Sequence, residues 1–172
     1  MKGLRKTQGG FSFVQVLVIL LCIGVLVVAL IYFIKPSKVL EQSRDAQRFA
    51  DLNNLSEALN QYLAEDHDFS GLVGPYSSID AGFADVAERT KIDGKGWIPL
   101  NFKLISTNLP FLTLPIDPLN NSTYNYRLGV SVTNKTYELN GVFERPENTA
   151  KNSTDSGNNL NVYELGTDLT IL

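Results

Sequence analysis

Three patterns follow one another along the chain. Residues 11–34, FSFVQVLVILLCIGVLVVALIYFI, are almost uniformly apolar and carry no charge over 24 positions. A helix of that length spans about 36 Å, enough to cross a hydrocarbon core of about 30 Å. From Val39 to Leu63 the apolar residues recur every three or four positions, through Leu40, Ala46, Phe49, Ala50, Leu52, Leu55, Ala58, Leu59 and Tyr62. That spacing predicts an amphipathic helix over 37–63. Its other face carries Glu41, Arg44, Asp45, Arg48, Asp51 and Glu57. Charges three and four apart on a helix read as a solvated surface laced with weak ion pairs. Between the two helical stretches, Lys35-Pro36 predicts a break or kink, because proline lacks a backbone donor and clashes with the preceding turn.

The helical period ends at Asp66–Gly71. Residues 64–115 read as an irregular connector with turns at Gly74-Pro75 and Asp93-Gly94 and a short helix within Ala81–Arg89. Trp97, Ile98, Leu100, Phe102, Leu104 and Ile105 in this stretch are expected to cover the core. The period then changes to two. Tyr124, Tyr126, Leu128 and Val130 alternate with polar residues, which predicts a half-buried strand. Asn134-Lys135 is the expected turn, Thr136–Phe143 the next strand, and a last strand lies within Asn161–Leu172. Residues 146–159 hold only one apolar residue, Ala150, and read as a loop. The antiparallel sheet is thus expected within 116–172. The fold class is α+β: one long N-terminal helix, membrane-spanning in its first half, and a head with a small antiparallel sheet.

Composition narrows the chemistry. The 172 residues hold 15 Lys+Arg and 18 Asp+Glu, a formal net charge of −3, which argues against a general nucleic-acid binder. One cysteine, Cys22, and one histidine, His67, leave no intramolecular disulfide, no cysteine zinc site and no paired-histidine motif. No phosphate-loop, dinucleotide or nucleophile-elbow spacing occurs, and the acidic residues form no dense cluster of the kind a calcium ion needs. No enzyme activity, cofactor or metal is expected.

Charge is also uneven. Lys2, Arg5 and Lys6 precede the apolar run and no acidic residue lies in 1–10. The positive-inside rule then places this end in the cytoplasm and the head outside. A cleavable secretory signal does not fit: the run is too long, and Tyr32-Phe33-Ile34-Lys35-Pro36 is no small-x-small site. A plain signal anchor fits the length alone.

The junction Lys6-Thr7-Gln8-Gly9-Gly10-Phe11-Ser12-Phe13-Val14-Gln15 adds to this. A short basic leader ends in glycine, and phenylalanine opens the apolar helix. This resembles the class III leader of type IV pilins and type II secretion pseudopilins. Arg44-Asp45-Ala46-Gln47-Arg48, Leu114-Pro115-Ile116-Asp117-Pro118 and Tyr124-x-Tyr126 are similar to the heads of that family. The resemblance implies a type IV pilin-like fold and a structural subunit, a minor pilin or pseudopilin, of a pilus-like filament or secretion pseudopilus. It implies cleavage between Gly10 and Phe11 by a prepilin peptidase and N-methylation of Phe11. Glycine suits a peptidase that must grip extended backbone closely.

The chain then divides into a leader (1–10), a transmembrane and filament-core segment (11–36) and a head (37–172). Cleavage removes three cations and no acid, taking the charge to −6, twelve cations against eighteen acids. The implied partners are other pilin subunits, the peptidase, an assembly-platform membrane protein and the lipid bilayer, with no direct nucleic-acid contact. Gln15 and Gly24 are the expected subunit-packing positions. Gln15 departs from the family, which usually carries Glu there to meet a neighbour's N-terminal amine. The alternative is a signal-anchored extracytoplasmic binding protein that never polymerises.

Overall fold

A computed structural model describes residues 10–80 and 82–172. Lys2, Arg5, Lys6 and the rest of the leader up to residue 9 lie outside the described residues, as does Ala81. The chain forms two compact units, residues 1–40 and 41–172.

The first unit contains helix α1, Phe13–Ile34. It begins two residues after the start of the apolar run because Ser12 takes the N-cap position in extended backbone. It ends at Lys35, whose left-handed backbone (φ 47°) lets its N–H donate to Ile31 O at 3.2 Å. Helix α2, Pro36–Ala64, starts on the next residue. Proline is at home there, since the first helical N–H has no intrahelical partner to lose. The expected break at Lys35-Pro36 therefore separates two helices.

Within the second unit, α2 supplies Leu52, Leu55, Ala58, Leu59 and Tyr62 to the core. Burial of each large apolar side chain is worth about 1.5–3 kcal/mol. The stripe is narrower than its sequence period suggests: Ala46, Phe49 and Ala50 are exposed. The solvated face is the larger correction. Asp45 and Arg48 are 1% and 0% exposed, because carboxylates from distant segments close over them. Past Ala64 the chain leaves the helix through Asp66 (φ 62°) and Gly71 (φ 84°).

Four strands form an antiparallel meander in the order β1-β2-β3-β4. They are β1 Tyr76–Ser77, β2 Arg127–Ser131, β3 Thr136–Gly141 and β4 Tyr163–Gly166. Leu128 pairs with Leu139, and Leu139 with Leu165. Leu128, Tyr137 and Leu139 belong to the core that α2 closes, and the Tyr137 hydroxyl meets Ser56 and Asn60 of α2. Alternate residues of a strand point to opposite faces, so Glu138 and Asn140 lie on the other side of the sheet. Phe69, Trp97, Ile98, Leu100, Phe102, Ile105 and Leu114 from the connector complete the core, while Leu104 is half exposed.

The architecture is therefore an apolar N-terminal helix followed by an α+β unit with a four-stranded antiparallel sheet. Three local expectations change. Strand β1 arises inside the connector, where a two-residue strand leaves no period to read. The short helix narrows to α3, Val86–Arg89, capped by Asp85, which accepts from Glu88 N–H at 2.8 Å. Residues 146–153 are helical rather than loop: α4, Pro146–Thr149, followed by a 3₁₀ turn over Ala150–Ser153. Asp45 holds the start of α4 from across the fold, its Oδ2 accepting from Arg145 N–H (3.0 Å) and Asn148 Nδ2 (2.8 Å).

Candidate functional site

The positions singled out by sequence gather at the start of α1. Gly10 is exposed, lies outside the helix, and has no atom within 4 Å of where a side chain would begin. Phe11 is 80% exposed. The Gly10–Phe11 peptide bond is thus open and non-helical. Ser12 N–H donates to Gln15 Oε1 at 2.8 Å, the reach-back of a capping box from the third helical residue. Gln15 is thereby occupied by its own helix. Phe11, Val14, Gln15, Val18 and Ile19 line a shallow apolar hollow on α1. Gly24 stands apart from it, with nothing within 4 Å of its missing side chain.

The rest of α1 is an apolar surface. Its large apolar side chains from Phe13 to Phe33 are between 44% and 81% exposed. Phe13–Phe33 is 21 residues long and apolar enough to cross a membrane, which makes it a candidate anchor or signal sequence. In water, so large a continuous apolar surface has to be covered.

The second cluster was not legible as a site. Arg48 lies at its centre with no exposure. Its guanidinium forks onto Asp117, Nε to Oδ2 at 2.6 Å and Nη2 to Oδ1 at 3.1 Å. Nη1 donates to Asp45 Oδ1 at 2.9 Å and to Glu144 Oε1 at 2.6 Å. Arg44 adds a second fork onto Glu144, and the Tyr124 ring covers the guanidinium with its centroid 4.8 Å from Cζ. Backbone N–H groups of Leu119 and Asn120 donate to Asp117, and that of Glu144 to Asp45. Two cations thus meet three carboxylates, and backbone donors take the remaining lone pairs. Buried ions are tolerated when paired and hydrogen-bonded in this way.

The electrostatics follow the geometry. Burial raises the Asp45 carboxyl, but hydrogen bonds from Asn148, the Glu144 and Arg145 backbone and Arg48 outweigh it and hold the group below its ordinary range. The Arg44 hydrogen bond, aided by Arg48, likewise holds Glu144 low against desolvation. Burial opposes the charge on Arg48, yet Asp117 and Glu144 raise its pKa further. Next to this cluster, Tyr126 donates its hydroxyl to Asp51 Oδ2 at 2.8 Å. Desolvation lifts Asp51 above the usual carboxylate range despite that bond.

No family model, curated protein or solved structure matches this chain. Its own side chains are then the guide to its chemistry. The Arg48 cluster is closed: its polar atoms bond one another and the backbone, which ties α2 to the segments at Asp117 and Glu144. It offers a substrate neither an open acceptor nor a free nucleophile, so it locks the fold. His67 sits with its ring 4.7 Å from that of Tyr62 at the end of α2. Among the described residues, no group of three or more His, Cys, Asp or Glu side chains is placed to hold a metal ion. The open features are the Gly10–Phe11 bond and the bare α1 surface.

Proposed function

We propose that this protein is a structural subunit, a minor pilin or pseudopilin, of a type IV pilus-like filament or a type II secretion pseudopilus. The observation that carries the reading is the junction. A basic segment ends at Gly10-Phe11, in open backbone, immediately before an uncharged helix whose large apolar side chains from Phe13 to Phe33 are exposed. A peptidase that grips extended chain can reach that bond, whereas a bond inside a hydrogen-bonded helix would first have to be unwound. The anchored chain holds its basic end in the cytoplasm and its head outside. After cleavage, α1 exchanges lipid for the helices of other subunits. Packing in lipid depends on shape and on a few polar contacts, which gives Gly24 and Gln15 their place.

Gln15 sets the kind of subunit. Cleavage leaves the Phe11 amine as a cation beside a low-dielectric core, and Gln15 brings no charge to a neighbour's amine. Charge-assisted hydrogen bonds are about twice as strong as neutral ones, so the chain is a poor homopolymer builder and takes a low-abundance position beside other subunits.

Co-expression with a prepilin peptidase tests the reading. The unaltered chain is expected to lose residues 1–10, and Gly10→Val, which puts a β-branched side chain at the scissile position, is expected to stay full length. Equal processing of both, or of neither, contradicts it and favours a signal-anchored binding protein. Long filaments of this chain expressed as the sole pilin would overturn the minor-subunit part alone.

A further inference from the structure

On the outer face of the sheet lies a second buried acidic group, unlike the first in having acceptors but, among the described residues, no bonded cation. Glu138 of β3 and Glu164 of β4 are 0% and 1% exposed. Glu138 is opposite Gly166, and Glu164 is opposite Asn140, so the two acids are diagonal neighbours on one face, within reach for long side chains. Glu138 is among the groups that raise the Glu164 carboxyl, after burial. Glu138 Oε1 and Glu164 Oε1 are buried without a hydrogen-bond partner among the described residues, and so is Asn140 Oδ1.

The outer oxygens of the pair hold two chain segments. Glu138 Oε2 accepts from Ile171 N–H at 2.7 Å and Leu172 N–H at 2.9 Å. Glu164 Oε2 accepts from Asn159 N–H at 2.8 Å. Two glycines let these segments close down. A side chain at Gly129 would meet Leu172 and Ile171, and one at Gly157 would run into the Glu164 carboxyl.

We infer that Glu138 and Glu164 share one proton, and that this proton latches the 155–159 turn and the 168–172 segment onto the sheet. The reason is electrostatic. Two ionised carboxylates are acceptors only, and like charges in contact in a buried site cannot both persist. One proton turns the repulsion into an O–H···O⁻ hydrogen bond and leaves both outer oxygens free to accept.

The facing groups do not supply a cation to do this instead. Asp155, in the turn, accepts from Glu164 N–H at 2.9 Å and adds negative charge. Asp168 bonds Thr170 in its own segment. Arg127, opposite Asn140 on β2, is exposed, and Lys151 is directed over the rings of Phe49 and Phe143. Burial, then Glu138 and Asp155, raise Glu164 above its ordinary range, against the opposing Asn159 bond. A raised acid stabilises the fold below its ordinary pKa and loses that contribution as pH climbs through the raised value. On deprotonation the proton passes to solvent, two carboxylates face each other, and the segments they hold are released. This latch is independent of the filament reading.

Amide exchange on the full chain in detergent micelles tests it, at about pH 5 and about pH 8 and corrected for intrinsic rates. Protection at Asn159, Ile171 and Leu172 is expected to fall about tenfold or more between the two, the equivalent of one pKa unit. Glu164→Gln places a permanent donor where the proton sits and is expected to keep protection high at both values. EDTA is expected to change nothing. Equal protection of the unaltered protein at both pH values overturns the latch, and so does loss of protection on adding EDTA, which would show a bound cation in the proton's place. Should Glu164→Gln fail to fold, carboxyl-carbon NMR of the unaltered chain decides. One of the two acids is expected to titrate well above the ordinary range, and two ordinary titrations contradict the proposal.

Discussion

Helices α1 and α2 treat their side chains in opposite ways. Along α1 the large apolar groups stay exposed and there is no charge to bury. Along α2 the apolar groups Leu52, Leu55 and Leu59 are fully buried, and so is Arg48. The second unit thus satisfies its own requirements, with its core closed and the Arg48 cluster paired. The large apolar side chains of α1 from Phe13 to Phe33 are exposed, and so large an apolar surface needs a cover. The proposed function rests on this difference: on what covers α1, and on the bond that precedes it.

The strongest way to break this contrast is to separate the two parts. A fragment spanning 37–172 is expected to be soluble, monomeric and cooperatively folded without detergent, whereas the full chain partitions into membranes. Sedimentation and a melt in buffer check this; an aggregating, non-cooperative fragment would show that the head is not self-sufficient.

Next in size is Arg48→Met. It leaves Asp45, Asp117 and Glu144 without their buried cation, and a loss of about 3–5 kcal/mol is expected, read from urea denaturation. A near-neutral result would mean that the cluster is not a lock. Leu55→Ala, in the centre of the α2 core, is expected to cost about 2–5 kcal/mol. The matching change on α1, Leu21→Ala, is expected to leave the urea midpoint of the head unmoved.

The pH profile sharpens the comparison within the second unit. Asp45 and Glu144 are held low by their partners. Their contribution is fully present above the ordinary carboxyl range and is lost as pH falls through the lowered values. Asp51 and Glu164, raised chiefly by burial, act in the opposite direction, losing their contribution as pH rises. Urea midpoints of the unaltered head are expected to fall steeply in acid, and Arg48→Met is expected to flatten that acid limb. The smallest effect belongs to the start of α1. Gln15→Ala removes the bond to Ser12 N–H and is expected to cost below about 1 kcal/mol, seen as faster amide exchange at Ser12.

Much of this layout was legible in the sequence. A 24-residue uncharged run in a chain that is otherwise polar reads as one apolar helix, and the structure has it over Phe13–Ile34. The β2–β3 hairpin announced itself through alternation and a turn at Asn134-Lys135. The strand β1 could not, because two residues carry no period. The 146–153 helical turns are held at their start by Asp45, about a hundred residues earlier in the chain. Asp45 and Arg48 read as part of a solvated face because local spacing cannot register partners that lie far away, 69 residues from Arg48 to Asp117 and 96 to Glu144. A charge-rich helix face is solvated only if nothing of opposite sign returns to it. Glu138 and Glu164 were hidden for a related reason: alternation within a strand does not show that the 155–159 and 168–172 segments return to cover its outer face.

The N-terminus of the protein made in cells tests the account most directly. Purified from cells that carry a prepilin peptidase and analysed by intact and fragment mass spectrometry, the chain is expected to begin at Phe11 with an N-methyl group. A membrane-embedded chain that keeps Lys2, Arg5 and Lys6 ahead of an uncut Gly10–Phe11 bond would contradict the account.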